Sequence, residues 1–568
     1  MQVFKPRSSD TQLLNRSVQT RSRTLDNRLF LVLIGFFLVP IWLFEYLPLQ
    51  DGPIHIHTAD VLHSFLTDSP SIFQDYYVTN LQLAPNWTTQ VILTGLMFIT
   101  SPAIAQKLLL SLYVILLPLA VRYALNGVRP EAPSFLAFLA FPLCYNLTVN
   151  MGFFNFACSL VVFLFTLGYW LRHRNRPSQA GLLLLLVLGL YFTHLFSFII
   201  FCLVVGVLIL WQGISLLLSS TRQEYPAVLR QLLMKTILPT GIALLPVWLM
   251  CLQFLSQNST GSTGPRWSAS MADNLRLGSL ITLSSLVSHS WLELVCAIAI
   301  GLVLISLTVY SLQKRDSPKL AAKDGLLVVT LVLLGVYLLA PKSLSGSVTI
   351  KDRLLLYPVL TLMLWLAAGQ YPSAIRRSLT GLLVSISVAM LVIQTTTYGY
   401  LNDYWREYTS VAPLIEEQAT LLAINLPAPQ DSPSAPDLWR PPKFVRPWQI
   451  NPFINVSGHI AVARKAVLLN NYQANEDYFP VNFRPELNPF EIMSADDWRL
   501  LGKKLHVDIL DYAAKTGRPV DYVAVWQTAD RPREEQEAVF QQLGAAYELI
   551  YTSPQRGYAR LYRYKAPA

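Results

Sequence analysis

The sequence predicts a polytopic α-helical membrane protein with about eleven transmembrane helices and a C-terminal α/β domain outside the membrane. Of its 568 residues, 53% are hydrophobic and only 14% are charged, whereas a soluble domain carries about 25% charged residues. Apolar runs of about 17–20 residues, long enough to cross the hydrocarbon as helices, recur until about residue 400. After Gly399 the chain becomes rich in Tyr, Pro, Asn and charged residues, which is typical of a polar domain.

The basic residues predict the orientation of the spans. Cytoplasmic loops are enriched in Lys and Arg, and the basic clusters all fall on one side if the N-terminus is cytoplasmic and Asn86–Thr100 lies along the outer surface as an interfacial helix. The predicted spans are 29–47, 104–123, 133–149, 155–171, 179–195, 197–218, 236–256, 290–312, 326–341, 354–370 and 379–397. The net charge of +10 serves orientation in this interpretation, and no nucleic-acid partner is expected.

Three regions follow from this map: a cytoplasmic tail (1–28), a membrane domain (29–398) whose first outer loop covers 48–102, and an extracytoplasmic domain (399–568). The chain is expected in the plasma (inner) membrane. In the last region, "VDYVAVW", "YELIYTS" and "YARLYRY" predict strands, "REEQEAVFQQLGAAY" predicts a helix, and "APQDSPSAPDLWRPP" predicts a proline-rich loop. The stretch Asn470–Glu491 combines amide and aromatic residues, which occur in sugar sites and in ordinary turns; turns are the favoured interpretation.

The first outer loop holds an unusual group of polar residues, "LPLQDGPIHIHTADVLHSF". Pro53 suits the start of a helix, and the apolar residues that follow predict a short amphipathic helix at headgroup level, with His57 and Asp60 on its polar face. Asp51 lies at the edge of the low-dielectric region and is a candidate general base. Two alternatives remain open: Asp51 caps a turn beside solvated histidines, or Asp51, His55 and His57 bind a divalent cation.

Two cations are predicted at the outer mouth of the tenth span, in "SGSVTIKDRLLLYPVL". Arg353 precedes an apolar run, which places its guanidinium at the depth of the lipid phosphates, and Arg suits bidentate phosphate contacts. Lys351 is a candidate to assist it. The alternative is that Arg353 anchors the span by reaching to lipid headgroups.

An N-terminal span followed at once by an Asp-containing outer loop resembles the GT-C superfamily of integral membrane glycosyltransferases, which includes protein mannosyltransferase and aminoarabinose transferase types. "PNWTTQVILTGLMFITSPAIAQKLLLSLYVILLPLAVRYAL" is similar to their interfacial helix and the span after it, and "NLTVNMGFFNFACSLVVFLFTLGYWLRHR" to the next pair of spans. Several relatives carry a second acid in the second outer loop. Here that loop reads "NMGFFN", so any role there falls to Asn150 or Asn155 as hydrogen-bonding groups.

The resemblance implies a GT-C-like arrangement of the helices and transfer of a sugar from a polyprenyl-phosphate-linked donor to a hydroxyl of a glycan, lipid or protein acceptor. Asp51 would act as the general base. The substrate-binding residues would be His55, His57, Asn150, Asn155, Lys351 and Arg353. No cofactor is required by this scheme, with a divalent cation at the outer loop as the alternative.

Two other functions are open on the sequence alone. A lipid or lipid-linked-sugar transporter or flippase is one, although ion-coupled transporters carry charges at mid-membrane and these spans are nearly free of charge at their centres. A non-catalytic membrane scaffold is the other, and it predicts that Asp51→Asn changes no activity.

Overall fold

The computed structural model describes residues 25–565 except 68–69, 83, 131, 258–264, 268–269, 272–274, 315–323, 342, 344–348, 427–449, 494–506 and 528–536. The predicted proline-rich loop and most of the N-terminal tail lie outside the described residues. The longer helices are α1 Leu25–Leu43, α2 Gly52–Leu66, α3 Thr88–Met97, α4 Pro102–Val128, α5 Phe154–His173, α6 Ala180–Thr193, α7 Leu195–Ser219, α8 Tyr225–Gln257, α9 Trp291–Gln313, α10 Gly325–Leu339, α11 Ile350–Leu354, α12 Leu356–Leu366, α13 Ser373–Thr409, α14 Ser457–Arg464, α15 Ile509–Thr516 and α16 Glu537–Ala546.

Shorter turns and seven strands complete the described chain. The short helical turns are Phe73–Tyr76, Ser134–Leu143, Leu147–Asn150, Pro177–Gln179, Leu277–Ile281, Ser284–Leu286, Ala412–Leu414, Tyr472–Asn475, Pro485–Leu487 and Pro489–Ile492, and Leu233–Ile237 within α8 is a π-helical turn. The strands are β1 Tyr77–Thr79, β2 Thr420–Leu426, β3 Val467–Leu468, β4 Val481–Phe483, β5 Tyr522–Gln527, β6 Tyr547–Thr552 and β7 Ala559–Tyr564.

Within the described residues, seven helices are long and apolar enough to cross a membrane: α1, α4, α5, α7, α8, α9 and α13. The other four predicted spans fall on shorter apolar segments, namely Ser134–Asn150, α6, α10 and α12. The chain is therefore a polytopic helical membrane protein, while the count of eleven crossings stays a prediction. The predicted interfacial segment is confirmed as a helix, α3, whose ten residues are too few to cross the hydrocarbon.

The C-terminal region contains a five-stranded mixed sheet in the order β3-β2-β5-β7-β6. The first three strands are parallel, and β7 and β6 pair antiparallel. The strands predicted from "VDYVAVW", "YELIYTS" and "YARLYRY" are confirmed as β5, β6 and β7, and α16 confirms the predicted helix. The sheet thus provides the α/β domain that the sequence predicts.

Both faces of this sheet pack against the membrane part of the chain. Alternate residues of β2 point to opposite faces: Leu422 joins a core with Val61 and Tyr77, from the segment between α1 and α4, whereas Leu421 joins a core with Trp405 of α13. Strand β1 of that segment also pairs antiparallel with β4. The sheet is therefore held between two segments that emerge from the membrane helices.

Helix α13 runs unbroken from Ser373 to Thr409. The predicted boundary between residues 398 and 399 lies inside it, because the helix continues through Gly399, where its composition changes. Glu407, near its end, is fully buried and accepts hydrogen bonds from Ser553, Arg556 and the Tyr558 backbone. This helix is thus shared by the membrane part and the C-terminal domain.

Helix α2 confirms the predicted helix after Asp51, but its predicted exposure is wrong. His57 and Asp60, expected at headgroup level, are 0% and 1% exposed. Their face packs on α14 and β4 of the C-terminal region, and the Asp60 carboxylate pairs with Lys465. Hydropathy alone shows an amphipathic helix, and a second domain covers its polar side.

Candidate functional site

Asp51 occupies the N-cap position of α2, yet its side chain caps no N–H of that helix. Its backbone is held from the membrane side instead: the N–H groups of Gln50 and Asp51 donate to the carbonyls of Asn150 and Met151, at 3.0 and 3.1 Å. The positive end of the helix dipole favours a negative charge at this position. The alternative in which Asp51 caps a turn beside solvated histidines is therefore wrong, since its carboxylate accepts hydrogen bonds from Asn455 and Tyr472 and His55 and His57 are buried.

The Asp51 carboxylate faces the C-terminal domain, where it is 6% exposed. Oδ1 accepts hydrogen bonds from Nδ2 of Asn455 at 2.9 Å and from Nε2 of Gln50 at 3.3 Å, and Oδ2 accepts from the Tyr472 hydroxyl at 3.0 Å. Burial raises the pKa of the Tyr472 phenol well above its ordinary value, so this hydroxyl keeps its proton and donates. Donors at both oxygens complement an ionised carboxylate.

Two glycines allow this close packing around the Asp51 backbone. Gly152 has a φ of +78°, and a Cβ there would lie 2.7 Å from the Asp51 nitrogen and 2.6 Å from the Gly52 nitrogen. From the other side, a Cβ on Gly458 of α14 would lie 2.5 Å from the Pro53 carbonyl oxygen. Real Cβ atoms do not approach this closely, so the Asp51–Pro53 backbone is clamped between the membrane helices and the C-terminal domain.

Arg353 on α11 is the predicted cation that faces the same space as Asp51. Its guanidinium carbon lies 4.3 Å from the centre of the Phe153 ring and 5.7 Å from that of Phe156, which are favourable cation–π distances. Burial lowers the pKa of Arg353, and Tyr478, Tyr472 and Asp51 act in the opposite direction. An Arg side chain stays protonated in such surroundings, so its positive charge interacts with the Asp51 carboxylate.

Lys351, on the same short helix, points elsewhere. Its Nζ donates to the Leu338 carbonyl at 3.2 Å and lies 5.3 Å from the Tyr337 ring, both at the end of α10. The intervening Asp352 pairs with Arg276 at 3.1 Å. A helix of this pitch turns residues two apart to different faces, and of the two predicted cations it is Arg353 on which the charge of Asp51 acts.

His55 is part of the site, one helical turn beyond Asp51. Its Nδ1 accepts hydrogen bonds from Nε2 of Gln90 at 3.1 Å and Nε2 of Gln473 at 3.2 Å. Since a carboxamide nitrogen only donates, the imidazole proton lies on Nε2. Burial lowers the pKa of His55 to about 4, so the ring is neutral at physiological pH.

His57 is a structural contact between α2 and the C-terminal domain. Its Nε2 donates to the Ala466 carbonyl at 3.1 Å, and its Nδ1 accepts from Asn471 at 3.3 Å. Burial lowers its pKa to about 4 as well. Both ring nitrogens are used inside the protein, so the structure offers no sign of the predicted substrate contact.

Asn150 and Asn155, predicted as hydrogen-bonding groups, bind neighbouring helices and loops of the protein. The Asn150 amide oxygen accepts from Gln394 and Tyr398, and its nitrogen donates to Ser288 and the Tyr145 carbonyl. The Asn155 oxygen accepts from the N–H and hydroxyl of Thr89 at 2.9 and 2.7 Å, which caps α3. Their substrate roles stay predictions, whereas their positioning of the loops around Asp51 is visible.

The predicted metal alternative finds no support in the geometry. Asp51, His55 and His57 each face different partners, and the described part of the chain has no group of three His, Cys, Asp or Glu side chains that suits a metal ion. The need for a cofactor stays untested.

Several residues of the site were not predicted. Tyr472 and Gln473 belong to the stretch Asn470–Glu491, where turns were favoured; the stretch does form turns, and these turns also reach Asp51 and His55. Asn455 carries no local signal, because it contacts Asp51 across 404 positions of the chain. The amide and aromatic composition of the stretch was the one available indication.

The comparisons with known proteins bear on the fold. No protein-family model matches the sequence, and no curated protein matches it. Among solved structures, the crystal structure of ArnT from Cupriavidus metallidurans bound to undecaprenyl phosphate matches with a TM-score of 0.50 and 10% sequence identity, over 96% of this chain and 98% of that chain. The chain has a GT-C fold. The resemblance found in the sequence is thereby confirmed at the level of the fold, over the matched part of the chain.

Proposed function

We propose that this protein is a membrane glycosyltransferase that moves a sugar from a polyprenyl-phosphate-linked donor to an acceptor hydroxyl on the extracytoplasmic face of the inner membrane. The observation that carries the proposal is that the charge of Asp51 acts on Arg353 where the membrane helices meet the C-terminal domain. A buried carboxylate and a guanidinium that interact electrostatically supply a base and an anion-binding group.

The donor class follows from the place of Arg353 and from the structural neighbour. That neighbour is bound to undecaprenyl phosphate, and Arg353 lies at the end of apolar helices, where a phosphate would meet it while the lipid tail lies along the helices. Arg binds phosphate oxygens through two parallel N–H donors. Sugar nucleotides are cytoplasmic, so a lipid-linked donor also suits an enzyme that works outside.

The proposed step requires a base and a stabilised leaving group. The acceptor hydroxyl oxygen attacks the anomeric carbon, the bond from that carbon to the phosphate oxygen breaks, and the polyprenyl phosphate leaves with the bonding electrons. The hydroxyl proton passes to Asp51, and Arg353 stabilises the growing charge on the phosphate. Asn455 fixes Oδ1 of Asp51, and the Tyr472 hydroxyl at Oδ2 marks the position that the acceptor hydroxyl would take.

Native mass spectrometry of the protein in its own lipids tests the donor site. Wild-type protein should carry a polyprenyl phosphate or its glycoside, and Arg353→Ala should lose most of it, while Arg406→Ala, which changes an exposed Arg paired with Glu45, should retain it. Absence of such a lipid from folded wild-type protein would contradict the proposal. Lipid binding with movement across vesicles but no sugar transfer would favour a flippase instead.

A further inference from the structure

A cluster of neutral groups lies directly beside Asp51 and has no part in the step above. We call this group the amide cluster. It comprises Gly52 and His55 of α2, Gln90 of α3, Gln106 of α4, Phe154 of α5 and Gln473. Gly52 and His55 lie three positions apart and so share one helix face. Phe154 contacts both, because its ring stacks on His55 at 5.0 Å and lies 3.4 Å from the ideal Cβ of Gly52.

The amide cluster holds buried polar atoms that make no hydrogen bond to any described residue. These are Oε1 of Gln90 and Nε2 of Gln106, on side chains 0% and 2% exposed. The Gln106 nitrogen lies against Gly52, 2.7 Å from that residue's ideal Cβ. A buried polar atom without a partner costs about 1–3 kcal/mol, and native structures retain such atoms where something else supplies the bond.

The cluster holds one acceptor and two donors. Gln90 presents a carbonyl oxygen, Gln106 presents an N–H, and His55 presents Nε2–H because its Nδ1 accepts from both amides. Hydroxyl groups both donate and accept, so a hydroxylated ring matches this mixture. The six residues carry no ionised side chain, since the imidazole of His55 is neutral.

We infer that the amide cluster is the binding site for the sugar of the donor, and that it selects a neutral, hydroxylated sugar over an amino sugar. This inference rests on the proposed function, because the cluster has a donor sugar to bind only if Arg353 holds its phosphate. None of the six residues is a carboxylate, and the neighbouring Asp51 oxygens already accept from Asn455, Gln50 and Tyr472, so an ammonium group in the cluster would be buried without a counter-ion of its own, which is costly. A neutral sugar would instead satisfy the orphaned atoms of Gln90 and Gln106.

Binding titrations by native mass spectrometry test this on the full chain in nanodiscs. The probes are polyprenyl phosphate, polyprenyl-phosphate hexose and a polyprenyl-phosphate amino sugar. Wild type should bind the hexose lipid about tenfold tighter than the bare phosphate, with no such gain for the amino sugar. Gln90→Leu and Gln106→Leu should each reduce the gain about fivefold, the effect of one neutral hydrogen bond, and leave bare phosphate binding unchanged.

Two further variants guard against misfolding. Gln106→Glu should bring the amino-sugar lipid above the hexose lipid, because it adds the missing carboxylate, and Gln212→Leu, at a Gln on α7 that contacts Asn175, should behave as wild type. Bare phosphate binding with no gain from hexose, or an equal gain from the amino sugar, would overturn the inference and leave the proposed function standing. If neither lipid binds wild type, the proposed function fails with it.

Discussion

At the scale of single residues, the site depends on contacts that join distant parts of the chain. The sequence predicts Asp51 as a candidate base and Arg353 as a candidate phosphate ligand, because each stands at the end of an apolar run. It cannot predict Asn455 and Tyr472, which reach Asp51 across 404 and 421 positions. Such contacts are decided by how the C-terminal domain packs, and no local pattern records that packing.

Asn455→Leu should reduce sugar transfer about tenfold to a hundredfold, because Oδ1 of Asp51 loses a donor to a charged group, worth about 1.5–3 kcal/mol. Tyr472→Phe should change the rate by less than about threefold, since the acceptor hydroxyl replaces the phenol at Oδ2. Steady-state rates with a synthetic donor would measure both. Equal losses in the two variants would contradict the separate roles given to the two oxygens.

At the scale of elements, the loops around Asp51 are fixed by close backbone contacts. The second predicted outer loop has no acid, and it contributes backbone groups instead. The carbonyls of Asn150 and Met151 accept the backbone N–H groups of the two residues before α2. Gly152 lets the backbones of the two loops come this close, because it has no Cβ. The sequence indicates a tight turn there but not what it packs against. The same holds for α2, whose amphipathic pattern predicts a helix and leaves open what covers its polar face.

Gly152→Ala should give a folded protein with transfer reduced at least tenfold, because a Cβ at φ +78° would displace the Asp51 and Gly52 nitrogens. The left-handed backbone adds about 1–2 kcal/mol of strain. Gly189→Ala in α6 is the matched control, since its Cβ meets nothing within 4 Å. Wild-type activity in Gly152→Ala would show that the position of Asp51 is less constrained than these contacts imply.

Acid should loosen the contact between α2 and the C-terminal domain. His55 and His57 have folded-state pKa values of about 4, below the ordinary value of 6.5, so between these limits the unfolded chain binds protons that the folded chain does not. Their stabilising contribution is complete above about pH 6.5 and decreases by about 3 kcal/mol for each histidine as the pH falls to about 4. Thermal unfolding across this range should show the loss, and His57→Gln should make it less steep. A pH-independent melting temperature would contradict it.

At the scale of the whole molecule, the membrane helices and the C-terminal domain form one structure. The five-stranded sheet packs between the segment that carries Asp51 and the end of α13. Composition predicts two regions with a change near residue 399, but it cannot show that α13 continues to Thr409 or that the second region contributes Asn455 and Tyr472 around Asp51. The individual strands were predictable because each is a short alternating run.

Glu407→Gln should weaken the attachment of the sheet to α13. The buried carboxylate accepts two backbone N–H groups, one hydroxyl and the Arg556 guanidinium. Its replacement by a neutral amide weakens these charge-assisted hydrogen bonds, at a cost of about 1.5–3 kcal/mol. Hydrogen exchange should accelerate first between β6 and β7. Glu417→Gln is the control, because that exposed residue makes a 3.8 Å ion pair of little energetic value. Unchanged exchange in Glu407→Gln would argue against this attachment.

The central claim, that Asp51 is the base of a sugar transfer, is tested most directly by a transfer assay with Asp51→Asn. Asparagine keeps the size of the side chain and loses the proton acceptor, so the variant should still bind the polyprenyl-phosphate sugar within about threefold of wild type. Its transfer rate should fall at least about a hundredfold, the usual contribution of a general base. Transfer at the wild-type rate by folded Asp51→Asn would contradict the account.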